Sequence, residues 1–130
     1  MKLINNNIKW IMLVSGILTF SMVFAAITPQ QALNSMFGQG LGDQPLAQMI
    51  VRNWGALIAL IGAMLVYGAF NQANRKFALA CAAISKSLFV GLAIYYGFGQ
   101  QLCTAAVFDS VLVVIFVSYI FTASPMVNTE

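Results

Sequence analysis

Arg52, Lys86 and Asp109 are charged, yet each stands inside a long apolar run. A guanidinium, an ammonium and a carboxylate can bind anions, polarise a carbonyl or exchange protons. At the centre of a bilayer such a group costs at least ~2.5–3.5 kcal/mol on insertion scales, so it normally faces the interior of a helical assembly and finds a partner there. Lys and Arg number only 6, and Asp and Glu only 3, among 130 residues. Three of so few charges in apolar runs mark the place where a site is to be sought. Two cations and one anion together leave a local excess of positive charge, which favours a carboxylate, a phosphate or a polarised carbonyl. Gln48 lies one helical turn before Arg52 on the same face, and Asn53 stands beside Arg52 about 100° round the helix. We take Arg52, Lys86, Asp109, Asn53 and Gln48 as the candidate ligand-binding set.

Other chemistries are poorly provided for. The chain has no His, which excludes His-ligated haem and His-dependent catalysis and argues against a zinc or copper site. No metal or resident cofactor is expected, apart from a bound lipid or quinone. Cys81 and Cys103 do not form a C-x-x-C pair, and helical spans would put them near opposite faces, too far apart for a disulfide. The Met residues read as packing rather than as ligands. The net charge is +3, but the basic residues are scattered, whereas nucleic-acid binding needs a basic stripe.

The elements that position these charges follow from composition. The chain is 61% hydrophobic and 7% charged, with a mean hydropathy of +0.87. A soluble domain carries roughly 25% charged residues. The expectation is a single all-α domain over residues 1–130, an integral membrane four-helix bundle with spans at about 9–28, 45–70, 77–97 and 104–123. The first apolar run could pass for a secretory leader. At about 18 residues and 1.5 Å per residue it is long enough to cross, and we expect it to be retained as the first span. Thr28, Pro29 and Gln31 have the pattern of a helix start with a capping box, and Gly38 that of a stop. A short interfacial helix is therefore expected at about 29–37, after the first span. Residues 71–76 read as a polar loop, and Pro125 as the end of the fourth span.

Direction follows from the basic residues. Lys2, Lys9, Arg75 and Lys76 fall on one side of a four-span chain, and the opposite loops contain no Lys or Arg. Both termini should be cytoplasmic, in what we expect to be a bacterial inner membrane. Trp10, Tyr95 and Tyr96 at span ends fit an aromatic belt. On this frame Arg52 and Asp109 lie roughly 10 Å and 8 Å below the outer face, with Lys86 near mid-depth on a flexible stem. The three should therefore converge in the outer leaflet. Small residues lie on the same faces, in the stripes Gly55-Ala59-Ala63 and Ala83-Ser87-Gly91, and let membrane helices approach closely. Plainer roles compete: Arg52 can snorkel to headgroups, and Asp109 can be interhelical glue.

Val51-Arg52-Asn53-Trp54-Gly55, Tyr67-Gly68-Ala69-Phe70 before a short basic loop, and Ser85-Lys86 resemble the small four-helix membrane proteins of the DoxX-like superfamily. The resemblance covers most of the chain in architecture and these fragments in detail. It implies a four-helix membrane bundle associated with quinone-linked redox complexes or with the assembly of other membrane proteins. The first functional reading is a non-catalytic membrane protein with an outer-leaflet polar site. It would bind a lipid-like, quinone-like or anionic ligand, or serve as an accessory subunit of a membrane complex or as a homo-oligomer. The second is a small oligomeric transporter or channel for an anionic or amphipathic substrate, since four spans alone enclose little space. An enzyme is the least favoured reading. Lys86 could serve as a base, but Asp109 beside it opposes that role, and few other groups are suited to acid–base work.

Overall fold

The structure, a computed structural model, describes residues 2–123. Among them every regular element is a helix: α1 (Lys2–Phe20), α2 (Val23–Ile27), α3 (Pro29–Phe37), α4 (Pro45–Phe70), α5 (Gln72–Tyr95) and α6 (Cys103–Thr122). Four stretches are long and apolar enough to cross a membrane: Leu3–Ile27, Pro45–Phe70, Gln72–Tyr95 and Cys103–Thr122. Pro125, read as the end of the last span, lies outside the described residues; α6 stops at Thr122 with Ala123 extended.

The helix limits depart from the sequence expectation in two informative places. The first apolar run is broken at Ser21 and Met22. There the amides of Met22, Phe24 and Ala25 bond three residues back, to Thr19, Ser21 and Met22, the tighter pattern of a 3₁₀ turn. The Ser21 hydroxyl donates to the Leu18 carbonyl at 2.6 Å, a local bond that competes with the regular ladder. Secondly, the polar stretch 71–76 is largely helix. Asn71 is the N-cap of α5, its side-chain oxygen accepting from the Ala73 amide at 3.1 Å. Arg75 turns back to donate to the Gly68 and Ala69 carbonyls, which the end of α4 leaves without amide partners. One residue therefore joins α4 to α5.

α3 begins with Pro at its first turn and ends at Gly38, whose left-handed φ of 67° lets the amide reach back to the Asn34 carbonyl. The expected capping box is not made: the Thr28 hydroxyl donates to the Phe24 carbonyl instead. Gln30 organises the following loop, accepting from the Leu41 amide at 2.7 Å and donating to the Gly42 carbonyl at 3.3 Å.

α1 lies along α4, α4 against α5, and α5 against α6, while α1 touches α6 only lightly. The α1–α4 approach depends on glycine. A Cβ built on Gly62 would stand 2.3 Å from the Phe20 amide nitrogen and 2.7 Å from the Gly16 carbonyl, so only a residue without a side chain fits there. Of the stripe Gly55-Ala59-Ala63, Gly55 and Ala59 are likewise buried within the chain, Gly55 against Ala25 and Ala26 of α2, whereas Ala63 is exposed. The core collects at the end of the molecule near the α4–α5 turn, where Ile8, Met12, Leu65, Leu79, Leu112 and Phe116 bring all four long helices together. Toward the α3 end α1 and α6 are not closed on one another, and a cleft opens.

Candidate functional site

The cleft has a volume of about 160 Å³ and takes residues from every long helix and from α3. Its floor is polar. Lys86, 8% exposed on α5, donates to the Asp109 carboxylate on α6 at 2.5 Å. This is the single ion pair among the described residues. Lys86 can be buried against α6 because its neighbours one turn back, Ala82 and Ala83, are small and themselves buried, which allows close approach of the two helices. Thr19 of α1 and Ser85 of α5 add hydroxyls to the lining. Thr19 is 8% exposed and its hydroxyl has no hydrogen-bond partner among the described residues, unlike those of Ser15, Ser21 and Thr28 nearby. Because no buried side-chain polar atom among the described residues lacks a partner, this hydroxyl is accessible from the cleft and free to bond what enters it. The upper walls are apolar: Leu18 and Met22 on one side, Met36 from α3, Trp54 and Ile58 from α4, and Phe89 and Phe108 opposite.

The expected convergence of three charges is corrected by the structure. Lys86 and Asp109 meet; Arg52 does not join them. Its guanidinium donates to the Ala26 carbonyl at 2.8 Å and the Ile27 carbonyl at 3.0 Å. These are the last carbonyls of α2, stranded where the chain turns at Thr28 before Pro29. Helical phase explains the choice. Trp54 faces the cleft, and Arg52, two residues earlier, points about 200° away on the same helix. Arg52 instead shares the face of Gly55, three residues on, which is packed on α2. With Arg52 engaged there, the polar floor is a neutral pair, and the predicted positive excess is absent from it.

The other candidates also lie outside the cleft lining. The Gln48 amide donates to the Gly42 carbonyl at 3.4 Å and so braces the loop ahead of α4. Asn53 is exposed and its side chain makes no hydrogen bond among the described residues. Thr19, Ser85 and Trp54 were not among the sequence candidates. For Ser85 the signal was adjacency to Lys86, and for Thr19 its place one turn from Ser15 on the buried face of α1. Cys81 and Cys103 are free thiols away from the cleft, and no group of potential metal ligands occurs among the described residues.

The floor can therefore offer an ammonium donor, a carboxylate acceptor and two hydroxyls to a small polar group, beneath an apolar and aromatic upper part. Compared with family models, with curated proteins and with solved structures, the chain finds no match. The functional reading rests on the geometry of this cleft.

Proposed function

We propose that the protein is a non-catalytic membrane protein, a four-helix bundle that holds an amphipathic, lipid-like or quinone-like molecule by an uncharged hydrogen-bonding head at Lys86 and Asp109. One observation carries the reading: a mostly buried ion pair of no net charge, Lys86 with Asp109, lines an otherwise largely apolar cleft beside the hydroxyl-bearing Thr19 and Ser85. A carbonyl head can accept from Lys86 and from the Thr19 hydroxyl, and a hydroxyl head can in addition donate to Asp109, with no net charge to be compensated. An anionic head gains less, because the one cation in the floor already has its counter-ion.

In this reading α3 lies at the outer membrane surface, the α4–α5 turn and both termini are cytoplasmic, and the membrane is a bacterial inner membrane. The placement of Lys9, Arg75 and Lys76 at the α4–α5 end supports it. Membership of the DoxX-like superfamily belongs to the same proposal, supported by four long apolar helices with a short helix after the first.

The test is organic extraction of the purified protein followed by mass spectrometry, beside the double variant Lys86→Met/Asp109→Leu. That variant removes both charges together and leaves neither unpaired. An uncharged amphipathic molecule should accompany the native protein and be lost from the variant. Its retention by the variant, or its absence from both, overturns the reading.

A further inference from the structure

A second, almost wholly apolar groove of about 200 Å³ lies beside the cleft, nearer the α3 end. Trp54 and Phe89 line both spaces, so the groove continues the cleft beyond its polar floor. Its walls are aromatic, with Phe37, Tyr96 and Phe98 joining those two. Phe37 of α3 and Phe98 of the α5–α6 loop meet edge to face in its wall, ring centroids 5.4 Å apart. An apolar cavity of about 150 Å³ is enough to hold a benzene ring. The groove therefore has room for one ring, in surroundings that reward edge and face contacts.

Resting on the function proposed above, we infer that the ligand is a small uncharged molecule with its hydrogen-bonding end deep, at Lys86 and Asp109, and an aromatic ring beyond it in the groove, against Phe37 and Phe98. The order of the two sites is what selects this class. The polar floor lies toward the middle of the helices and the apolar groove toward their α3 end. A phospholipid has the reverse order, with its charged head at the surface and its chains deep. A charged head would have to be seated among aromatic rings, at the cost of desolvation without partners. A phenol or similar hydroxy-aromatic head with a second ring meets both sites in the right sequence.

Isothermal titration in one detergent with phenol and with 4-benzylphenol tests this, on the native protein and on Ala93→Phe. Ala93 lines the groove but not the cleft, so the larger side chain fills the ring site and spares the floor. The ratio of the two affinities cancels most of the detergent partitioning when it is compared between proteins. It should be about threefold to tenfold larger for the native protein, the range for one well-placed aromatic contact. Phe37→Ala, which removes a wall without filling the space, should lower the ratio as well and covers the case in which Ala93→Phe fails to fold. Equal ratios in the native protein and in a folded variant overturn the ring site while leaving the polar floor standing. Failure of phenol itself to bind the native protein overturns the proposed function and this inference together. Displacement of 4-benzylphenol by an anionic phospholipid at equal mole fraction overturns the inferred ligand class.

Discussion

Lys86 and Asp109 hold one another in a place where neither would be stable alone. Each is mostly buried, at 9% and 16% side-chain exposure, so loss of one leaves an unpaired charge in a low-dielectric surround. Lys86→Met alone should lower the stability by about 3–5 kcal/mol, whereas Lys86→Met/Asp109→Leu should recover most of that loss. Unfolding by SDS titration in mixed micelles measures both, and equal losses for single and double variants would show that the pair is not coupled. Arg52 plays a different part from the one its depth suggested. It ties α4 to the end of α2 through two carbonyls, and these bonds are exposed, so Arg52→Ala should cost only about 1 kcal/mol. The same titration checks this, and ligand retention should survive the substitution, because Arg52 is not part of the cleft.

At the scale of the elements, the break at Ser21–Met22 and the contact of α1 with α4 decide where the cleft walls stand. Thr19, just before the break, and Met22, within it, both reach the cleft. Gly62 lets α1 lie close enough for this. Gly62→Ala should force the helices apart and destabilise by about 1–3 kcal/mol, despite the better helix propensity of Ala. Gly91 provides the contrast within the same type of helix: a Cβ there meets nothing within 4 Å. Gly91→Ala should be neutral or stabilising by up to about 1 kcal/mol. Opposite signs for the two substitutions are the expected outcome of parallel unfolding titrations. Asn71 is a further element-level device, and Asn71→Ala should cost about 1 kcal/mol by removing the cap of α5.

For the whole molecule, the proposed topology puts the N-terminus of α6 outside and the α4–α5 turn inside. Cys103 is exposed, so a membrane-impermeant maleimide should label it in intact cells. In a Cys103→Ala background, Asn74→Cys, exposed in the first turn of α5, should be labelled only after permeabilisation. Labelling of Asn74→Cys in intact cells would mean the opposite orientation. At this scale the fold also bears on oligomerisation: Gly55, a residue able to join two copies, is already packed on α2, and Ala59 is buried within the chain.

Hydropathy and helix length are local properties, and so the long apolar helices, the short helix from Pro29 and the charged residues lodged in apolar runs were legible in the sequence alone. The near coincidence of α4 with the run 45–70, and of α6 with 104–123, reflects that. Which charges meet was not legible. Each step along a helix turns a side chain by about 100°, and the phase of each helix is set by contacts made elsewhere, such as Gly62 on Phe20 and Gly55 on α2. Those contacts turn Arg52 toward α2 and Trp54 toward the cleft. The depths expected from the sequence put the three charges at neighbouring levels; the rotation of the helices, a property of the packed molecule, joined only Lys86 to Asp109.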